Sequence, residues 1–425
     1  MASTKSSTAT KIRAKDLSKV RRIALCAQGL TKDTPFGRGI SGARKAVAHL
    51  GYVQIDTISV VQRAHHHVLH SRVPNYRPQM LNKMLRDRSV FEYWSHAAAF
   101  LPIQDYRYSL IHREEILKRR QKWFRPNKDK LLREILRRIE VEGPLRSRDL
   151  QDTRTSRSGW WDWKPAKHAL EQLFFQGDLM VTDREGFQKV YDLTERVIPS
   201  DLDSRTPNFD EYADHLIHQQ LHCHGLVSRK GITYMRTNPK LKSAVKTHID
   251  AMIDDGALEE IELPAGHTYL CKRGQLDAAA PRSANKIKIL SPFDNLVIQR
   301  ERLQSLFSFD YLIECYVPEA KRQFGYFTLP LVYQSDFIGR IDCKAHRKTG
   351  VLEVRACHLE DQLAASFEVL AAAFLTALDS FLEFQGCNAL HFSHAKPKKF
   401  VAALRAVAKQ RPTGENPWPI TIQNT

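Results

Sequence analysis

The sequence predicts an α+β protein: three tandem winged-helix subdomains followed by a small C-terminal β-barrel with a covering helix. Three observations lead there. A succession of helix, short element, helix and hairpin runs over 130–192 and again over 209–272, which is the winged-helix order. A helix-Gly-strand signature stands at Gly177 and Gly256 and recurs in divergent form at Gly51. From Lys286 onward the texture changes to short β-type runs separated by turns, as in a small sheet or barrel.

The chain has 425 residues, too many for one typical domain, and its 42% apolar content is ample for real cores. Lys and Arg exceed Asp and Glu by 65 to 47, a net charge of +18. Such an excess points to a polyanionic partner, nucleic acid first and an anionic membrane second. Seven scattered cysteines without a CxxC suggest neither a zinc site nor a disulfide framework, and a reducing cytosol fits them. No apolar run is long enough to span a bilayer. No Walker, HExxH or GxSxG motif is present, so nucleotide-hydrolase, metalloprotease and esterase readings drop away.

Taken in order, residues 1–15 read as a disordered basic arm rich in Ser, Thr and Lys. The first subsidiary unit, 16–126, opens with a helix over 16–30. Ser41 is placed to cap a second helix that Gly51 stops. Residues 53–56 form a short strand, 57–72 a helix, and Pro78 starts another. Two strand-like runs follow at 91–94 and 97–101, and the basic stretch 111–130 reads as a linker helix. The second unit, 127–200, has helices over 130–142 and 165–176, a Trp-rich turn at Trp160, Trp161 and Trp163, and a hairpin across 183–186. In the third, 201–285, Asn238 caps a helix with Pro239 at its first position, and a hairpin crosses 264–267. The barrel, 286–410, takes strands near 287–290, 297–299, 312–316, 325–333, 337–344, 351–356 and 388–393, with the covering helix over 363–384. Residues 411–425 form an irregular tail.

Chemistry concentrates at Gly51-Tyr-Val-Gln-Ile-Asp-Thr57. Alternation along a strand puts Val53 and Ile55 on one face and Gln54 and Asp56 on the other. A carboxylate near a scissile bond can act as general base on water or stabilise a cationic transition state, and a neighbouring amide can orient that water. Local pattern alone favours a plainer role, with Asp56 capping the helix that begins near Thr57. The repeat places this strand where a wing strand would face a duplex. Arg63, His65, His66, His67 and Arg72 lie just beyond; they read either as phosphate or base contacts or as a partly buried polar helix. His66 and His70 share a helical face, but no acidic residue or cysteine stands at ligand spacing, so no metal is expected. Arg340, Lys344, Arg347 and Lys348 sit on a strand and its turn, as a basic hairpin on the phosphate backbone or an ordinary exposed hairpin.

Several stretches together resemble the winged-helix DNA glycosylases of the AlkZ and YcaQ (AlkX) type. They are Val53-Gln-Ile-Asp56 running on to Arg72, Phe91-Glu-Tyr-Trp-Ser-His96 running on to Pro102, Leu290-Ser-Pro-Phe-Asp-Asn-Leu296, and Gly325 to Pro330 with Gly339 to Lys348. Gln54-Ile55-Asp56 is similar to the Gln-apolar-Asp motif of the YcaQ branch. The chain departs from the pattern at Tyr52, at the stretch after Leu296 and at His70.

The resemblance implies hydrolysis of the N-glycosidic bond of N7-alkylated guanine, including unhooking of interstrand crosslinks. Asp56 would be the catalytic carboxylate and Gln54 its partner. No lysine or terminal amine in the motif offers Schiff-base chemistry, so a monofunctional enzyme without cofactor or metal is expected. Its partner would be double-stranded DNA, its state a monomer, and its location a prokaryote-like, nucleoid-associated cytoplasm. The alternative is a non-catalytic winged-helix DNA-binding regulator, which explains the charge and the repeats but leaves Gln54 and Asp56 without a role.

Overall fold

The computed structural model describes residues 9–118, 129–150, 165–361, 363, 365–410 and 418–422. The elements in chain order begin with β1 (Thr10–Lys11), α1 (Leu17–Ala27), α2 (Gly39–Leu50), β2 (Val53–Gln54), α3 (Ala64–His70) and α4 (Pro78–Arg86). Next come β3 (Val90–Trp94), β4 (Ala98–Pro102), α5 (Tyr106–Lys118), α6 (Asp129–Glu142), β5 (Leu145–Arg146), α7 (Pro165–Gln176), β6 (Leu179–Glu185), β7 (Gln188–Leu193) and α8 (Thr194–Val197). The third stretch holds α9 (Phe209–His224), α10 (Arg229–Ile232), α11 (Pro239–Asp254), β8 (Leu258–Glu262) and β9 (Thr268–Lys272). The chain ends with β10 (Ile287–Ile289), α12 (Arg300–Phe307), β11 (Thr328–Tyr333), β12 (Asp336–His346), β13 (Val351–Leu359), α13 (Phe367–Gln385), β14 (Ala389–Phe392), β15 (Ala395–Lys396), α14 (Lys398–Gln410) and β16 (Ile420–Ile422).

Two small sheets share one topology, β2-β4-β3 and β5-β7-β6, each with its first strand beside its last. The third, β1-β8-β9, adds β1 beside β8, and an isolated bridge at Val227 takes the corresponding place beside β9. The helix-Gly-strand signatures at Gly177 and Gly256 lead into the first strand of a hairpin, β6 and β8, whereas Gly51 leads into β2, the strand beside a hairpin, so the expected third copy at Gly51 is not equivalent to the other two. Gly51, Gly177 and Gly256 all adopt positive φ (75°, 93° and 81°), a conformation glycine takes without steric cost, so each helix ends abruptly and the chain turns into a strand. At the start of α11, the Asn238 side chain accepts from the backbone N–H of Lys240 and Leu241, with Pro239 at the first position. Pro78 opens α4 in the same way.

The first and second sheets are joined by a buried charge cluster. Glu92 on β3 accepts two hydrogen bonds from Arg184 at the end of β6 (2.8 and 2.9 Å) and pairs with Lys189 at 2.9 Å. The two cations hold its carboxyl below the ordinary value despite complete burial.

The C-terminal strands form an open sheet, not the expected barrel. It has seven strands, in the order β10-β11-β12-β13-β14-β16, with β15 beside β13, and among the described residues no sheet closes. The reason lies in the helices. Phe374, Leu375, Leu378 and Phe381 of α13 and Phe400 and Leu404 of α14 share one core with Leu329, Ile341, Val354 and Phe392. Helices cover the apolar face, so closure is not needed to bury it. The parallel pairing of β13 with β14 requires a crossover, which α13 supplies.

Other expectations also change. Residues 297–299 lead into α12 instead of forming a strand. Residues 312–316 are irregular because the buried Glu314 carboxylate collects the backbone N–H groups of Gln323, Phe324 and Gly325 (2.8, 2.8 and 3.0 Å). In the expected arm, β1 pairs parallel with β8, and in the expected tail, β16 pairs parallel with β14. Arg119, Arg120, Lys122, Arg125 and Lys128 of the basic linker, and Trp160, Trp161 and Trp163, lie outside the described residues.

Candidate active site

The segment carrying Gln54 and Asp56 is not the expected strand followed by a helix over 57–72. Its strand, β2, is two residues long and pairs with β4, with Val53 opposite Phe100 and Gln54 opposite Ala99. It is therefore an edge strand beside a hairpin, and the hairpin itself is β3-β4. Residues 55–63 continue without helix, and α3 begins only at Ala64. Three hydrogen bonds explain the delay. Ile58 N–H donates to Asp56 Oδ1 (2.7 Å), Ala345 N–H donates to the Val60 carbonyl (2.8 Å), and Gln62 N–H donates to Gln385 Oε1 (2.6 Å). The side chain of Asp56 thus closes a local turn, the mechanism by which Asp competes with helix formation.

Alternation still sorts the side chains. Val53 is buried, and Ile55 packs partly against the same core as α2, α3 and α4. Gln54, on the other side, meets His96, whose Nε2 lies 3.0 Å from Gln54 Oε1. His96 stands edge-on to Tyr52 (4.9 Å between centroids) and to Tyr234 (5.5 Å), and burial, with the charge of Arg236, pushes its pKa down to about 4.

Asp56 is half-buried. Loss of solvation raises its carboxyl pKa above the ordinary aspartate value, and the bond from Ile58 and the positive charge of Arg63 offset part of that rise. Arg63 carries its guanidinium 4.0 Å above the Phe187 ring at the tip of the β6-β7 hairpin, and Arg184 stands 4.4 Å from the same ring. Arg347, in the turn after β12, donates to the Ser59 carbonyl at 2.9 Å. Burial and the neighbouring charges of Arg184 and Arg347 lower the Arg63 pKa. Glu92 is shared between Arg184 and Lys189, so the surroundings of Arg63 keep a net positive charge, of which Arg63 itself acts on Asp56. Among the described residues, Arg63 Nε is buried and finds no hydrogen-bond partner. Tyr316, 79% exposed, and Cys315 sit near enough that the Asp56 charge contributes to raising both of their pKa values, beyond what burial does.

The sequence-predicted residues divide cleanly. Gln54 meets His96, while Asp56 and Arg63 come together, with Arg347 near Arg63. Lys348 is exposed and Lys344 half-buried on the same hairpin. Four others turn inward. Arg72 has no exposed side-chain surface and forms a two-pronged ion pair with Asp294 (2.6 and 2.8 Å). His65 is buried, and His67 is buried with Nε2 at 2.9 Å from the Ile289 carbonyl. Arg340 is buried, bonded to Glu360 and the Asp310 carbonyl, with its guanidinium 4.1 Å from the Phe324 ring. These side chains present no surface to a phosphate. His66 is bonded through Nδ1 to Tyr76 Oη at 2.9 Å. Burial holds His66 at about 3 and His67 at about 4, so neither carries charge near neutrality. Among the described residues, no three His, Cys, Asp or Glu side chains gather as a metal-ligand set.

Sequence reasoning quoted His96 within the 91–102 stretch but gave it no role, and it missed Phe187 and Tyr234. The signal for His96 was the register of the first hairpin, which folds Trp94-Ser-His96 back beside Gln54; nothing in local spacing carries it.

The sequence motifs beyond the site hold it in place. Asn295 Nδ2 donates to the Tyr52 carbonyl at 3.1 Å, one residue from Asp294 and its pairing with Arg72. Asp342 accepts from the N–H groups of Tyr326 and Phe327 (3.0 and 3.2 Å). Gly325 adopts φ +131°, and an added Cβ there would stand 2.5 Å from Asp342 Oδ2.

Comparison with known proteins gives two findings. A family model described as DNA glycosylase AlkZ-like matches residues 47–384. The solved structure of Streptomyces sahachiroi DNA glycosylase AlkZ is similar at 18% identity and a TM-score of 0.57, covering 89% of this chain and 98% of that one. At that identity the structural likeness shows a common fold.

Proposed function

Because the chain belongs to the AlkZ-like DNA glycosylase family, which acts in DNA repair, we propose that it hydrolyses the N-glycosidic bond of N7-alkylated guanine. The proposal extends to unhooking interstrand crosslinks, by a monofunctional, water-activating mechanism. The carrying observation is the half-buried Asp56 carboxylate, two residues from Gln54, with the charge of Arg63 acting on it.

N7 alkylation makes guanine a cationic leaving group, so departure needs little acid assistance. The electron pair of the glycosidic bond leaves with the base, and positive charge develops on the sugar. Ionised Asp56 stabilises that charge, then takes the proton of a water whose oxygen bonds to C1′, while Gln54 orients the water. A crosslinked base resists flipping into a tight pocket, and a site on an edge strand is consistent with such a substrate. The sheet topology of the first two units, echoed by the Val227 bridge in the third, supports reading the three as winged helices on a duplex, and the +18 charge supports contact with the phosphate backbone; a monomeric state belongs to the same proposal. Among the described residues no helix is long and apolar enough to cross a membrane; a cytoplasmic, nucleoid-associated location belongs to the same proposal.

Duplex containing a single N7-methylguanine, incubated with the purified protein, releases the free base under this reading, leaving an abasic site without strand cleavage. Binding without release on several alkylated duplexes would instead support the regulator. Affinity should also fall steeply as salt rises. Arg63→Ala and Arg347→Ala should each weaken binding of every duplex and lower the salt slope by about 1. Unchanged slopes would remove these two side chains from the phosphate contacts.

A further inference from the structure

We propose that His96 is a positioning residue: its Nε2–H holds the carboxamide of Gln54 in the one orientation that orients water for Asp56. This rests on the glycosylase reading above. The hydrogen bond spans 3.0 Å between side chains that are both buried, 8% and 9% exposed. An amide oxygen only accepts, so the proton of the neutral imidazole must sit on Nε2. That bond takes one of the two lone pairs of Gln54 Oε1 and fixes the amide plane, so the NH2 is held at the opposite edge, as a donor to water under this reading.

The ring is itself fixed. Tyr52 meets it edge-on at 78° and Tyr234 at 64°. Tyr234 is tied by its hydroxyl to the Ile298 carbonyl at 3.2 Å, and Tyr52 by its carbonyl to Asn295. Without His96, Gln54 could rotate about its terminal torsion, which is soft and roughly two-fold. The water would then lose its orientation while the fold and the Asp56 carboxylate stayed in place. A positioned amide of this kind raises rate without contributing to duplex affinity.

Single-turnover base release from N7-methylguanine duplex, measured for wild type, His96→Ala, Gln54→Ala and the double variant, tests this. His96→Ala should slow release about ten-fold, the worth of one neutral hydrogen bond, with duplex affinity unchanged. His96→Gln, whose amide N–H can donate to the same oxygen, should recover part of the rate. In the Gln54→Ala background the His96 substitution should cost nothing further, because the two act as a unit. An equal further loss in that background, or an effect confined to affinity, overturns the proposal. The nitrogen NMR shifts of His96 supply a check that needs no activity: an Nδ1–H tautomer overturns it as well. If wild type releases no base while His96 shows the Nε2–H tautomer, the glycosylase reading fails and the hydrogen-bond assignment stands.

Discussion

Asp56→Asn should slow base release by about 10²–10⁴-fold, the usual worth of a positioned general base, while leaving duplex binding intact. The substitution keeps a side-chain oxygen to accept from Ile58, so the local turn survives. Its effect on stability should run the other way. Burial raises the folded-state pKa of Asp56, so the folded protein holds this proton more tightly than the unfolded chain does. The contribution to stability is then fully present below the unfolded-state pKa and is lost as pH rises through the folded-state value. At neutral pH the ionised carboxylate is a burden on the fold, and asparagine removes it. Thermal denaturation at pH 7 should show the variant at least as stable as wild type, with the difference vanishing in acid. The same shift places the acidic limb of the wild-type pH–rate profile above the ordinary aspartate value. A variant that loses both activity and stability at pH 7 would contradict this account of Asp56.

Asp294→Ala should be the most destabilising single change in the region. Arg72 and Asp294 have no exposed side-chain surface. Removing one partner of such a pair leaves the other charge buried alone, a loss of about 3–5 kcal/mol. Arg72 would keep its bonds to the Gln28 and Val68 carbonyls (2.8 and 3.1 Å), but no anion. Urea denaturation reads the loss as a lowered midpoint, and replacing both partners with apolar residues (Arg72→Met with Asp294→Leu) should restore part of it. A cost below about 1 kcal/mol is that of a solvated surface pair and would mean that water reaches this one.

The division between what could be read from the sequence and what could not follows the range of the forces. The ends of α11 were legible because their causes are local, Asn238 and Pro239 at one end and Gly256 beyond the other, whereas Ser41, expected as a cap, lies inside α2, which starts at Gly39. The opposite facing of Val53 and Gln54 was legible because alternation along an extended chain is local too, but the strand stops at Gln54, and Asp56 turns to the Ile58 N–H instead. The fate of the arginines was not. Whether a guanidinium faces solvent or interior depends on a partner that can lie anywhere in the chain, and Asp294 is 222 residues from Arg72. The helix expected over 57–72 failed because Val60 and Gln62 are bonded to Ala345 and Gln385, remote groups that outweigh periodicity. The barrel failed likewise, since closure depends on whether helices cover the sheet, and strand runs carry no mark of that. The sequence motifs beyond the site did carry information, though of another kind: Asp294, Asn295 and Asp342 are fasteners.

The turn at Asp294 and Asn295 has a consequence for synthesis. It grips the chain on both sides of Gln54 and Asp56, at Tyr52 and at Arg72, and β12 adds a third hold at Val60. A polypeptide emerging from the ribosome makes the local holds on Gln54 and Asp56 early, from Ala99, His96 and Ile58, and the remote ones at Tyr52, Val60 and Arg72 only in its last third. Under the proposed reading, full competence therefore arrives with the nearly finished chain. A fragment left by interrupted translation or proteolysis retains Gln54 and Asp56 with their local holds alone.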